Sequence, residues 1–354
     1  MRIRSAQTLV FVNEGDHTIG FNYLTRSYFA CSRDLLTFLS MVRDWTPFGK
    51  IRELLGSPSA RVLQRQLSDL IDVNAVVVED GDIAGREDDY RERWAWGMPT
   101  ALFHQTVQDR PYLTETDNTN IQRARLETDP PPALFLKPQC RAAERIPLPD
   151  RRHESSLLDL MARRRTRRTS TGKAITLNQL NDCLFAGMGI TGETINDAGI
   201  TLPLGMTPSG GARNPFEAYV YALDVNGLPR GFYHYCAADQ VLEPVATNRH
   251  PNPSELLGSQ DWSDSMPCII ILCAFFERTM WKYADANAYR VILIEAGHIG
   301  QNIMLLATQH GLTACPTAAI NHAQIGECLG LDTTLMCAPV YALTLSEPLP
   351  DSSD

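Results

Sequence analysis

Residues 268–276 read CIIILCAFF, nine apolar residues without a break. A run of this length rich in β-branched side chains is a fully buried strand. It is far short of the ~20 residues a helix needs to cross a bilayer. Taken as the central strand, it organises what lies on either side. Downstream, Tyr289 to His310 predicts a long helix closed by Gly311 at the position after the helix end, and 338–348 (APVYALTLSEP) predicts a last strand. Upstream, 216–225 (FEAYVYALDV) and 231–235 (GFYHY) predict a hairpin turned by 225–229 (VNGLP). Earlier still, Thr176 and Gln179 form a T-x-x-Q capping box before a helix carrying Leu180, Leu184 and Phe185. Ser155 to Arg168 predicts another helix with Leu157, Leu158 and Met161 facing inward. Helices and strands mix without strict βαβ alternation, which defines an α+β fold.

The chain has 354 residues, 44% hydrophobic and 21% charged, enough for a sizeable core and, by length, two domains. Forty-one acids against 32 bases leave a formal charge of −9, which argues against general nucleic-acid binding. Nine scattered Cys with no C-x-x-C make a disulfide framework or zinc site an unsuitable reading and fit a reducing cytoplasm. The first residues, MRIRSAQTLVFVNEGDH, lack the apolar core of a signal peptide, and no membrane segment is expected.

Residues 1–105 read as a small helix-rich domain. Helix 34–45 sets Leu35, Leu36, Leu39 and Val42 on one face. A second helix, capped by Ser57 with Pro58 at its first position, carries Val62, Leu63, Leu67, Leu70 and Ile71. The β-branched run and acidic turn of 73–88, followed by RERWAWG (91–97), predict strand, turn and strand, hence a winged-helix-like domain. Its second helix offers only Arg61 and Arg65 and its turn is acidic, so peptide or protein docking suits it better than DNA. Residues 106–150, polar and then Pro-rich, read as a linker, and 151–354 as the second domain.

GMGITG (187–192) has a dinucleotide-type glycine pattern, but a helix precedes it and a loop, ETINDAG, follows, the reverse of the required strand–turn–helix. Glu295 and His298 form E-x-x-H without the second such pair a di-iron bundle requires, which leaves a polar stripe able to hydrogen-bond a neighbour or ligand. No nucleophile elbow or phosphate-binding P-loop is present. Arg163–Arg168 holds five Arg in six residues, a solvated basic face or a site for a small anion. Pro208–Pro215 (PSGGARNP) is either a connecting turn or a loop whose backbone approaches a flat ligand. Lys282 beside Tyr283 is either exposed or a base with its orienter; the second role needs a neutral amine, hence a pKa well below the usual ~10.4.

In order along the chain, RRRTRRT, PSGGARNPFEAYVYAL, GFYHY, LEPV, the stretch 277–312 and ACPTAAI resemble the nitroreductase-like flavin superfamily. They resemble more closely its SagB-type dehydrogenase branch, which contains azoline oxidases of ribosomal peptide biosynthesis. The resemblance covers about 150–345, and WAWGMPTALFHQTVQD (94–109) extends it more weakly into the peptide-engaging N-terminal region. It implies an FMN enzyme with a homodimeric α+β core, a central sheet flanked by helices, and flavin at the dimer interface. By the same resemblance Arg164, Arg165, Thr166 and Arg168 contact flavin phosphate and ring, and Pro208, Ser209, Gly210 and Gly211 pass the isoalloxazine. Gln301 and Asn302 border the cofactor, Pro316, Thr317 and Ala318 lie near its reactive edge, and Lys282 and Tyr283 match the pair linked to azoline oxidation. Ala284 and Asn287 stand where the family often has Gly and Arg, Thr166 replaces Ser, and Gly210 stands where Ala is common.

The implied reaction converts an azoline to an azole: Lys282 takes a proton from one ring carbon and flavin accepts a hydride from its neighbour. A peptide substrate, and a cyclodehydratase partner that makes the azoline, follow from that reading. Three rivals stay open: an NAD(P)H-dependent nitro- or quinone-type reductase, a flavin-free peptide-binding scaffold, and a DNA-binding regulator.

Overall fold

The computed structural model describes residues 2–56, 59–109, 114–128, 156–196 and 199–349. They form two compact units: the described residues of 1–110, 275–292 and 332–338 make the first, and those of 111–274, 293–331 and 339–354 the second. The Pro-rich stretch 129–150 lies outside the described residues.

The second unit is built on a six-stranded sheet. Its order is Val241–Pro244, Gly231–Cys236, Phe216–Ala222, Cys268–Phe275, Cys337–Ser346, Thr313–Thr317. The apolar run is therefore an interior strand, pairing antiparallel with Phe216–Ala222 from Phe216↔Ala274 to Ala222↔Cys268. Cys268 through Ala274 are completely buried, the reason the run shows no alternation. The hairpin forms with Ala218 opposite Tyr235, and the Thr176–Gln179 capping box opens the helix Leu177–Met188.

The long helix runs Asn287–Gln309 and buries Ala288, Ile292, Ala296, Ile299, Ile303 and Ala307 at helical spacing. Gly311 follows with φ +72°, the left-handed turn that ends it. By length and composition this helix could span a bilayer, but half of its most apolar window is packed inside the protein, as in an ordinary core helix. Gly187 allows the helix Leu177–Met188 to lie against it, because a β-carbon there would meet Ile303 Cγ1 at 2.8 Å.

Several expectations are corrected. The helix predicted over Ser155–Arg168 is Ser156–Arg163, and the rest of the Arg run is not helical. Like charges one turn apart repel, so a helix through all five Arg is disfavoured. Leu157, Leu158 and Met161 point outward, and it is Leu160 that is buried. After Gly189 the chain enters a hairpin, Ile190–Ile195 with Thr201–Gly205, so Glu193, Thr194 and Ile195 at the start of the supposed loop ETINDAG are strand.

In the first unit, Arg2–Ser5 pairs antiparallel with Thr46–Pro47 and Val76–Val78, and Leu9–Glu14, His17–Asn22 and Ser27–Cys31 form a separate meander. Helices Arg33–Met41, Phe48–Leu54 and Ala60–Asp72 pack Phe38, Leu39, Val42, Ile51, Leu63 and Leu67 around Ile3. Leu36 and Val62 face solvent, off the faces expected for them. Ser59 caps the helix Ala60–Asp72; Ser57 and Pro58 lie outside the described residues. Where a second wing strand was expected, 82–93 is helix. Asp82 in its first turn and Arg91 and Arg93 in its last suit the helix dipole, a signal overlooked in favour of the turn-like EDGD.

Candidate functional site

The candidate cofactor residues all belong to the second unit. The Arg segment leaves its helix at Arg163 and continues without regular structure. Arg163, Arg165 and Arg167 line a cleft of about 520 Å³ with Thr171, Lys173, Thr308, Thr313 and Glu347. Arg164 and Thr166 are not in that wall; Arg164 Nη1 donates to Thr166 Oγ1 at 3.4 Å. The Arg168 guanidinium lies 5.9 Å from the centre of the Trp262 ring. Arg165 donates to the carbonyls of Ala162 and Arg164, and its own carbonyl accepts from Thr313 Oγ1 at 3.3 Å. Lys173 is thus added to the anion-binding candidates, and Arg163, Arg165 and Arg167 are the members of the Arg run that line the cleft. Alternation along a non-helical segment, invisible while the run was read as helix, separates the two faces.

The loop Pro208–Gly211 is held from behind by the long helix. Glu295, 5% exposed, accepts from the Gly210 amide at 3.2 Å and from the Ser209 hydroxyl. Burial pushes its pKa above the ordinary carboxylate range, against the lowering effect of those two donors. Asn302 Nδ2 donates to Thr207 Oγ1 at 3.0 Å, a second anchor two turns along. Asn302 therefore acts on the loop, and Gln301 beside it is half-buried. The loop itself is tightly coiled: Gly211, Ala212 and Asn214 all have positive φ, at 63°, 52° and 45°. Ser209 Oγ accepts from the Asn214 amide at 2.9 Å. Glu295 was legible only as a polar stripe, and His298 of the same E-x-x-H is exposed.

Pro316 and Thr317 end the edge strand Thr313–Thr317, and Ala318 follows, exposed. Gln260 Nε2 donates to Thr317 Oγ1 at 2.9 Å and to the Leu257 carbonyl at 2.8 Å, tying this segment to the chain before Trp262. Gln260 was not singled out from sequence, since its role depends on a contact 57 residues away.

Lys282 and Tyr283 belong to the first unit. They follow the short helix Phe276–Met280, are exposed, and place Lys282 Nζ 5.4 Å from the centre of the Tyr283 ring. Trp96 Nε1 donates to the Tyr283 carbonyl at 2.8 Å.

The second unit thus carries a six-stranded sheet, a glycine-rich loop pinned to a core helix and a cationic segment, the elements of a nitroreductase-like α+β fold. The nitroreductase family model matches residues 161–343, and the chain belongs to the nitroreductase family. It is 31% identical over 197 residues to a protein of Methanocaldococcus jannaschii named as a nitroreductase, covering 55% of this chain and 94% of that one. It is 33% identical over 134 residues to the microcin B17-processing protein McbC of Escherichia coli, covering 35% of this chain and 48% of McbC. With the trifolitoxin-processing protein TfxB of Rhizobium leguminosarum bv. trifolii it shares 31% identity over 155 residues, covering 41% of this chain and 38% of TfxB. The matches span less than half of either processing protein. These two relatives support the SagB-type branch that the sequence resembles.

Proposed function

We propose that this nitroreductase-family oxidoreductase is an FMN-dependent dehydrogenase that oxidises an azoline ring of a peptide to an azole. The observation that carries the reading is the loop Pro208–Gly211, pinned at Glu295 and Asn302 so that a glycine-rich backbone is held in one conformation. Such a loop suits a flat ring, and the donor set of the Arg segment suits a phosphate. Arg164, Thr166 and Arg168 offer guanidinium forks and a hydroxyl, and Arg163, Arg165, Arg167 and Lys173 supply further positive charge in the adjoining cleft. The residues present fit FMN.

Bound FMN would supply the hydride acceptor. The chain's own residues do the rest. The loop Pro208–Gly211 and the segment Pro316–Ala318 are the residues that would border the flavin ring and orient the substrate carbon. The family resemblance makes Lys282 the candidate base for the substrate proton, and the Tyr283 ring, its centre 5.4 Å from Lys282 Nζ, is the group that would orient the amine. The relatives McbC and TfxB are peptide-processing proteins by name, which favours a peptide over a free quinone or nitroarene. A homodimer is part of the proposal: the outward Leu157, Leu158 and Met161 form an apolar helix face of the kind a second copy covers. An azoline-forming cyclodehydratase is the partner whose product this chain would consume. A cytoplasmic location is part of the proposal; no disulfide joins the described cysteines.

The test is optical. Purified protein is expected to be yellow and to release FMN on denaturation, about one per chain. A thiazoline-bearing synthetic peptide is expected to bleach the bound flavin without oxygen and to emerge two hydrogens lighter. Bleaching by NADPH but not by the peptide would replace this reading with a nitro- or quinone-type reductase. A colourless protein that takes up no added FMN would overturn the flavin reading altogether.

A further inference from the structure

The Lys282–Tyr283 segment is held by its own flanks and by residues from the N-terminal part of the chain. Phe276 and Tyr289 stack face to face, with centroids 5.4 Å apart and planes at 12°, closing the base of the excursion between them. His104, only 1% exposed, packs edge-on to Phe276 at 4.9 Å, and its Nδ1 lies 3.0 Å from the Tyr289 hydroxyl. Trp96, 3% exposed, packs edge-on to both Phe276 and Tyr289. Within the excursion, the amides of Lys282 and Tyr283 both bond back to the Thr279 carbonyl. The Tyr283 carbonyl is met by Trp96 Nε1 at 2.8 Å, 187 residues away in sequence. Beyond it, Ala284 and Asp285 are exposed and carry no regular structure.

We propose that Trp96 is a positioning residue for Lys282: it fixes the Tyr283 carbonyl, and through it the direction in which the Lys282–Tyr283 pair projects. The proposal rests on the reading of Lys282 as the base. It gives the N-terminal region a task besides substrate docking. That region supplies the wall against which the reactive segment is shaped. The physical argument is one of entropy. A buried indole is a rigid donor, and one directed hydrogen bond at the middle of a turn, with an aromatic stack at its base, removes most of the conformations an exposed Lys would otherwise sample.

Trp96→Phe keeps an aromatic ring in the box, smaller than the indole, and deletes the donor. In the full-length protein without substrate, deuterium uptake over 279–287 is expected to rise. Pulse acetylation of Lys282 by acetic anhydride should change by about threefold or more, with Lys173 as the internal control, while FMN affinity stays within about twofold. With the thiazoline peptide, flavin reduction at saturation should slow by about tenfold with little change in half-saturating concentration. Phe276→Leu, which weakens the stack from the other side, should move the same readouts in the same direction and stands in if Trp96→Phe fails to fold. Ile51→Val, in the separate core around Ile3, controls for general loosening. Unchanged exchange and labelling in Trp96→Phe, or an equal change in Ile51→Val, would overturn the positioning role. If the wild-type protein is not reduced by the thiazoline peptide, the azoline reading fails, and the labelling result still decides whether Trp96 positions Lys282.

Discussion

Glu87 is the most heavily committed carboxylate of the first unit. It accepts from Arg4 Nη1 at 2.5 Å, from the amides of Gln7 and Thr8, and from the Thr8 hydroxyl. Glu87 is 1% exposed and Arg4 3%, and the Arg4 guanidinium also sits 4.6 Å from the centre of the Trp45 ring. Removing one member strands a buried charge and several donors, so Glu87→Ala should cost ~3–5 kcal/mol, read as a lower urea midpoint for the first unit. Glu87→Gln keeps one acceptor and should cost less. Glu295 plays a comparable part in the second unit, with a functional readout. Glu295→Ala frees the Gly210 amide and the Ser209 hydroxyl, and FMN affinity should fall by about tenfold, ~1.4 kcal/mol, in a fluorescence titration. Glu295→Gln, still able to accept one bond, should lie between Ala and the wild type.

At the scale of elements, the outer strands of the large sheet carry a pH-sensitive ladder. His234 Nε2 lies 2.8 Å from Glu217 and Nδ1 3.0 Å from Glu243, so one imidazole bridges three adjacent strands. Burial alone would lower the His234 pKa, but the hydrogen bonds to Glu243 and Glu217, and their charges, outweigh it and raise it above 6.5. A His raised on folding contributes stability that is fully present below the unfolded value, about 6.5, and is lost as pH rises through the folded value. The second unit should therefore melt at a lower temperature at pH 9 than at pH 6, and His234→Gln should flatten that difference. The helix Ser156–Arg163 makes a second element-level prediction. Its outward Leu157 and Met161 become the contact surface if two copies associate. Leu157→Glu combined with Met161→Glu should convert a dimer into a monomer by light scattering, with the melting of the monomer little changed.

For the whole molecule, the chain runs into the first unit three times, in 1–110, 275–292 and 332–338, and builds the second from what remains. The proposed base and the proposed cofactor residues are thereby assigned to different units, although Phe275, where the chain re-enters the first unit, is itself the last residue of the central strand. The α+β class, the interior strand, the hairpin, the capping box and the long helix were legible from residue order, because each rests on a local rule: unbroken apolar length, period, a cap, a terminal glycine. The Arg run and the glycine-rich loop were legible as candidates for the same reason. Three things were decided by tertiary structure. The Arg run leaves its helix and divides into two faces; Glu295 and Asn302 turn inward to clamp the loop; and Trp96 reaches the Tyr283 carbonyl. Each depends on a contact between residues far apart in sequence, where burial and a single hydrogen-bond partner choose among conformations that local propensity leaves nearly equal.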